Sequence, residues 1–80
     1  MKASEELIGI REAAQTLRMS IPSLRDYKKR GLIKIAAKRG NQDLYDKADI
    51  VRRYSIISEK RSEGFSLSQI GSMLARRPKG

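Results

Sequence analysis

The residues best suited to binding a charged partner lie in the segment SIPSLRDYKKRGLI, residues 20–33, where four of the fourteen residues are Lys or Arg. Its apolar residues recur at the spacing of one helical face, and they are Ile21, Leu24 and Tyr27. Pro22, Arg25 and Lys29 fall on another face of the same helix. An arginine there can donate two hydrogen bonds to guanine O6 and N7 in a major groove about 12 Å wide. The segment therefore predicts a helix that buries one stripe and presents a basic stripe to a negatively charged partner.

The charge of the chain favours nucleic acid as that partner. Eighteen Lys and Arg stand against nine Asp and Glu, and residues 25–39 hold seven basic residues and one acid, Asp26. Clustered basic residues in a small, strongly basic domain are the electrostatic footprint of a nucleic-acid binder. The alternative for the same helix is a solvated charged face that binds nothing, in which Asp26 pairs with Arg30 one turn along.

The chain offers little for catalysis or for metal binding. It contains no Cys and no His, so a zinc site would need carboxylates alone and the commonest general acid and base is missing. The nine acidic residues are scattered, and Asp46 and Asp49 stand at a predicted helix start, where the helix dipole explains them. We therefore expect a protein that is not an enzyme and that needs no metal or other cofactor.

Three predicted helices begin in the same way, with a capping residue between the two apolar residues of a hydrophobic staple. The caps, each with its staple pair, are Ser20 (Met19, Leu24), Asp46 (Tyr45, Ile50) and Ser66 (Phe65, Ile70). Gln69 completes a capping box with Ser66, and Gly31 and Gly64 are typical residues after a helix end. The predicted helices span residues 11–17, 21–30, 47–62 and 67–75. The aromatic residues Tyr27, Tyr45 and Tyr54 fall on apolar faces and are expected in the core.

The connections predict a helix-turn-helix followed by a wing. Only two or three residues, around Arg18 and Met19, separate the first two helices, and this tight turn is expected to put Arg18 in a left-handed conformation at a cost of about 1–2 kcal/mol. Turn residues KRGN predict a β-hairpin of residues 33–36 and 42–45. The fold class is thus mainly α, a winged helix-turn-helix with four helices and a two-stranded wing. We expect one domain over residues 1–80, with flexible ends at residues 1–7 and 76–80.

The wing brings two further basic residues, Lys38 and Arg39, towards the predicted helix over residues 21–30. At the start of that helix, Ser20 and Ser23 can serve a phosphate together with the helix N-terminus. From the residues themselves, the predicted DNA contacts are Ser20, Pro22, Ser23, Arg25, Lys28, Lys29, Lys38 and Arg39.

Four segments in a fixed order carry a resemblance to a known family, and they are IGIREAA, MSIPSLRDYKKRGLI, LYDKADIVRRYSII and EGFSLSQIGSML. Together they resemble the DNA-binding domain of the MerR family of bacterial transcription regulators from Ile8 to Leu74. The resemblance implies a recognition helix (residues 21–30) in the major groove and a wing (residues 36–43) on the adjacent backbone. It implies that Arg25 touches DNA and that Arg53 contacts the backbone.

The sequence also departs from the family pattern. Asp26 stands where many members have an aromatic residue directed at phosphate. The wing reads NQDLY at residues 41–45, with Asp43 where the family often has an arginine, which leaves Lys38 and Arg39 as substitutes. Family regulators continue into a dimerisation helix and an effector domain. The resemblance therefore leaves open a fragment of a longer regulator or a small stand-alone relative, and it leaves the oligomeric state open.

Three functions remain possible at this point. The first is sequence-specific binding of double-stranded DNA in transcription regulation. The second is excisionase-like architectural binding that bends DNA. The third is a protein-interaction module whose basic face meets an acidic partner, RNA polymerase or a partner regulator. Because no apolar run approaches the ~20 residues of a membrane span and no signal peptide is visible, we expect a cytoplasmic protein associated with the nucleoid.

Overall fold

The computed structural model describes residues 6–75 of the 80-residue chain and confirms the winged helix-turn-helix architecture. In chain order the elements are β1 (Leu7–Ile8), α1 (Ile10–Leu17), α2 (Ile21–Lys29), β2 (Ala37–Arg39), β3 (Gln42–Asp46), α3 (Lys47–Ser62) and α4 (Leu67–Ala75). The sheet has three strands, one more than the sequence predicted. Of the ends expected to be flexible, residues 1–5 and 76–80 lie outside the described residues, whereas Leu7 belongs to β1.

The three predicted helix starts are confirmed by their capping hydrogen bonds. The Ser20 hydroxyl accepts from the Ser23 N–H at 3.2 Å in α2, and the Asp46 carboxylate accepts from two N–H groups of α3. At α4, the Ser66 hydroxyl accepts from the Gln69 N–H at 3.2 Å, and the Gln69 side chain accepts from the Ser66 N–H at 2.8 Å. Each such cap stabilises its helix by about 1 kcal/mol, so these starts are set by local sequence.

Three helices end with a left-handed residue, and one of these residues is not glycine. The residues are Arg18 (φ 56°), Gly31 (φ 81°) and Gly64 (φ 101°). In each case the next residue donates its N–H back across the turn, as Met19 does to the Ala14 carbonyl at 3.0 Å, which is the Schellman arrangement. The strained Arg18 predicted for the helix-turn-helix is therefore confirmed.

The second wing strand, predicted over residues 42–45, is confirmed by β3, whereas the first strand, β2, begins later than predicted. Arg39 pairs with Gln42 and Lys38 pairs with Asp43, so the hairpin loop is only Gly40 and Asn41. Gly40 has φ 62° while Asn41 has no positive φ, the pattern of a type II′ turn. A two-residue loop requires the first strand to precede it directly, so the predicted strand over residues 33–36 was wrong.

The apolar residues that suggested that strand have another role. Leu32 and Ile33 are almost fully buried in the core, in an irregular segment that follows α2. The Leu32 N–H donates to the Tyr27 carbonyl at 2.9 Å. The alternation of Ile33 and Ile35 that suggested a strand therefore reflects their packing against the core.

Strand β3 joins the wing to the core. It pairs with β2 on one side and with β1 on the other, where Ile8 lies opposite Tyr45. Tyr45 is fully buried, and the rings of Tyr27 and Tyr54 lie 6.3 Å apart against the core. The core roles predicted for the three tyrosines are confirmed. The wing is thus continuous with a strand that is anchored in the core.

Candidate nucleic-acid interface

Helix α2 presents its basic side chains to solvent. Leu24 on its inner face is fully buried, whereas Arg25, Lys28 and Lys29 on the outer side are exposed. The helix is held at its start by the Ser20 cap and at its end by the Schellman turn. A rigidly held helix can present these cations in a fixed arrangement, as groove recognition needs.

A cleft of about 490 Å³ separates α2 from the turn of the wing. Its lining combines cations of α2, polar residues of the wing and the first residue of α1: Arg25, Lys28, Lys29, Asn41, Gln42, Asp43 and Ile10. Hydrogen-bond donors and acceptors thus converge on one open surface with a net positive charge. The arrangement suits a polyanion that offers both phosphates and polar base edges.

Asp43 connects the helix to the wing through two ion pairs. Its carboxylate lies 3.3 Å from Lys28 Nζ on α2 and 3.7 Å from Lys38 Nζ on β2. Lys38 is therefore brought to the α2 side, as the winged topology predicted. The neighbouring Arg39 is exposed at the end of β2.

The hydroxyl of Tyr45 is buried and has no hydrogen-bond partner among residues 6–75. Burial is the main cause that raises the pKa of this phenol above its usual value of 10.0. The negative charge of Asp43 raises the pKa further, while the positive charge of Arg25 lowers it. The pKa of the hydroxyl therefore depends on charged residues on both sides of the cleft, Asp43 on the wing and Arg25 on α2.

The residues predicted at the start of α2 lie in its exposed first turn. The Ser20 hydroxyl donates to the Ser23 hydroxyl at 3.0 Å while it also caps the helix. Pro22, also exposed, occupies one of the first two helical positions, where its missing N–H breaks no helical bond. Ser20 thus has a structural role in addition to the phosphate contact predicted for it.

Asp26 accepts from Arg30 Nε at 2.9 Å, so the predicted pair along α2 is confirmed.

The structure keeps Arg53 apart from the cleft. Arg53 lies on α3, and its Nε donates to Asp49 at 3.1 Å. Its side chain is only 17% exposed, and Arg52 pairs with the same carboxylate. Its role as a backbone contact stays a prediction.

Four residues that line the cleft were not among the predicted contacts, and they are Ile10, Asn41, Gln42 and Asp43. The glycine at position 40 could have indicated the positions of Asn41 and Gln42, because a two-residue loop at Gly40 places Asn41 at the tip and Gln42 opposite Arg39. Among residues 6–75, no group of three or more acidic residues is arranged to hold a metal ion. The described helices are also all too short or too polar to cross a membrane.

The tight turn between α1 and α2, the basic outer face of α2 and the hairpin beside it define a winged helix-turn-helix domain. The model of the MerR HTH family of regulatory proteins matches residues 9–77. Because this match covers most of the chain, the protein belongs to the MerR HTH family.

Known proteins and structures agree with this assignment. A probable heavy metal-dependent transcriptional regulator of Haemophilus influenzae is 39% identical over 69 residues, which are 85% of this chain and 53% of that protein. A MerR-family transcriptional regulator of Bacillus cereus is 30% identical, with a TM-score of 0.70 over 94% of this chain and 56% of its own.

A third similarity shows the fold. The crystal structure of HiNmlR, a MerR family regulator lacking the sensor domain and bound to promoter DNA, has a TM-score of 0.73 at 22% identity. It is matched over 85% of this chain and 54% of its own. The chain thus spans about half the length of the relatives that it matches.

Proposed function

We propose that this chain binds double-stranded DNA sequence-specifically as the DNA-binding part of a transcription regulator. Helix α2 enters the major groove, and the wing, residues 36–43, lies on the adjacent backbone. The observation that carries this proposal is the cleft in which Arg25, Lys28 and Lys29 of α2 face the wing turn. The crystal structure of HiNmlR, which has the same fold and is bound to promoter DNA, supports the same use of the fold in this chain.

The residues around the cleft have two different tasks in this proposal. Arg25, in the middle of the exposed face of α2, reads a base edge, because a bidentate arginine discriminates guanine by about 1–3 kcal/mol. The other basic residues fix the position of the domain on phosphates, which carry no sequence information. These are Lys28, Lys29, Lys38 and Arg39, with Ser20, Ser23 and the α2 N-terminus at one edge and Arg53 as a further backbone contact. Pro22 keeps the first turn narrow.

Membership of a family of regulatory proteins favours transcription control over an excisionase-like role and over a protein-interaction module. Control of transcription needs a further partner, RNA polymerase or a second regulator. We place that contact away from the cleft, since DNA occupies the cleft. The proposed location is the cytoplasm, at the nucleoid, and the proposed function includes no catalytic step and no cofactor.

Selection from a randomised duplex pool tests the proposal, with sequencing of the bound fraction. The wild type is compared with Arg25→Ala and with Arg61→Ala, a matched loss of one arginine from the last turn of α3, outside the lining of the cleft. We expect the wild type and Arg61→Ala to enrich the same motif and Arg25→Ala to relax it. Binding without enrichment, or no binding near 0.15 M salt, would contradict the proposal and favour a protein partner.

A further inference from the structure

One carboxylate lies among the cations of the proposed interface. Strand pairing puts Asp43 directly opposite Lys38, and the adjacent α2 supplies Lys28 on its other side. The two ammonium groups lie 3.7 Å and 3.3 Å from different oxygens of the same carboxylate. The Asp43 side chain is 22% exposed, so it reaches the cleft surface while protein encloses most of it. In the free protein one carboxylate thus forms ion pairs with two lysines that would otherwise be available to phosphates.

Each ammonium group has three N–H donors, so a phosphate that binds Lys28 or Lys38 either lies beside the Asp43 carboxylate or displaces it. The carboxylate then faces phosphates of like charge, and this repulsion weakens binding. Base edges of the major groove offer a carboxylate only two kinds of donor, the N4 amine of cytosine and the N6 amine of adenine. Asp43 lies on the α2 side of the wing, beside the helix that enters the groove, so a base amine there can compensate for this repulsion, whereas a duplex without such an amine leaves it uncompensated.

We propose that Asp43 is a specificity-determining residue, which holds Lys28 and Lys38 in the free protein and weakens binding to any duplex that offers its carboxylate no amine. The inference rests on the proposed function and adds a discriminating residue to it. Specificity is a difference between two affinities, and a repulsive contact in the wrong complex widens that difference. The cost is a lower affinity for DNA in general.

The substitution Asp43→Asn tests the inference, because asparagine keeps the size and removes the negative charge. The matched control is Glu63→Gln, which also removes one negative charge but lies at the end of α3, where Glu63 pairs with Lys60 at 3.6 Å. Equilibrium affinities are measured for a random-sequence duplex and for the duplex that the wild type selects, between about 0.05 and 0.2 M salt. Thermal unfolding of each variant confirms that it is folded.

We expect Asp43→Asn to bind the random duplex roughly three- to tenfold more tightly than Glu63→Gln does. The slope of log affinity against log salt steepens by up to ~0.9 for each lysine that becomes free to neutralise a phosphate. The selected duplex gains less or loses affinity, so the ratio of specific to random binding falls. The motif selected by Asp43→Asn is correspondingly broader.

A second substitution, Lys28→Gln, tests the same coupling even if Asp43→Asn alters the stability of the wing. In the wild-type background Lys28→Gln removes a phosphate contact whose charge Asp43 partly offsets, so random-duplex affinity falls by a small factor. In the Asp43→Asn background the same substitution removes most of the gained affinity. Equal effects of Lys28→Gln in both backgrounds would overturn the inference.

The outcomes separate the inference from the function on which it rests. If the wild type binds a selected duplex and Asp43→Asn behaves like Glu63→Gln on both duplexes, the inference is overturned and the proposed function stands. If no variant binds duplex DNA at any salt concentration, the proposed function falls and takes the inference with it.

Discussion

The hydroxyl of Tyr45 is a polar group that the fold buries without a partner among residues 6–75. A buried donor left without a hydrogen bond costs about 1–3 kcal/mol. Tyr45→Phe removes the hydroxyl and keeps the ring, so we expect the free energy of unfolding to rise by about 1 kcal/mol. Urea unfolding at neutral pH measures the change. A loss of more than about 1 kcal/mol would show that the hydroxyl is in fact bonded.

The same residue predicts a loss of stability in alkali. The unfolded phenol ionises near its usual pKa of 10.0, whereas burial raises the pKa in the folded state. The folded protein therefore keeps the proton that the unfolded chain releases. The contribution of Tyr45 to stability is complete below pH 10 and is lost as pH rises through the folded pKa.

Comparison with Tyr45→Phe isolates this contribution from that of other groups. Unfolding is measured for both proteins from about pH 8 to pH 11. We expect the wild type to lose more stability than the variant above pH 10. Parallel curves for the two proteins would contradict the raised pKa.

Arg18 is the other residue whose conformation has a measurable cost. With φ 56°, it occupies a region that suits glycine. We expect Arg18→Gly to raise the free energy of unfolding by about 0.5–1 kcal/mol, because the relief of about 1–2 kcal/mol exceeds the added entropy of the unfolded chain. Arg18→Ala keeps the strain and removes the charge, so it serves as the control. Equal stability of the two variants would show that strain at this turn is negligible.

At the scale of elements, α4 approaches the end of α2 closely at Gly71, a contact that the sequence analysis did not predict. A Cβ on Gly71 would lie 2.9 Å from the carbonyl oxygen of Arg30, at the end of α2. We expect Gly71→Ala to lower stability by about 1–3 kcal/mol through overpacking, even though alanine favours a helix by about 1 kcal/mol. Chemical unfolding measures the change. Ser72→Ala, at an exposed position of the same helix, is the control, and an equal gain in both variants would contradict the close approach.

The elements differ in how far sequence could predict them. The starts of α2, α3 and α4 were predictable because each is fixed by side chains within four residues. Strand β1 was missed because its reason lies far along the chain, where Ile8 pairs with Tyr45. The first wing strand was misplaced because burial of Ile33 imitates the alternation of a strand.

The candidate site shows the same division. The basic face of α2 follows from helical spacing alone, and the structure displays Arg25 as expected. The position of Asp43 between Lys28 and Lys38 depends on the strand register and on how the wing packs beside α2. No local pattern contains that information, so the opposing role of Asp43 became visible only in the structure.

For the molecule as a whole, the net charge of +9 predicts that the proposed DNA binding depends strongly on salt. Charge alone attracts any duplex, whereas the proposed function assigns sequence recognition to Arg25 and phosphate contacts to the other basic residues of α2 and the wing. Variants of the two kinds of residue should therefore fail in different ways. A base-reading residue changes the preference among sequences, and a phosphate contact weakens all sequences alike.

The most direct test is the ratio of affinities for the selected duplex and a scrambled one, measured side by side for Arg25→Ala and Arg39→Ala. We expect Arg25→Ala to lower this ratio by a factor that corresponds to about 1–3 kcal/mol of binding free energy. Arg39→Ala should weaken both duplexes by the same factor and reduce the salt slope by ~0.9, with the ratio unchanged. If neither variant differs from Arg61→Ala, or if Arg25→Ala weakens both duplexes equally, α2 does not read sequence and the account is contradicted.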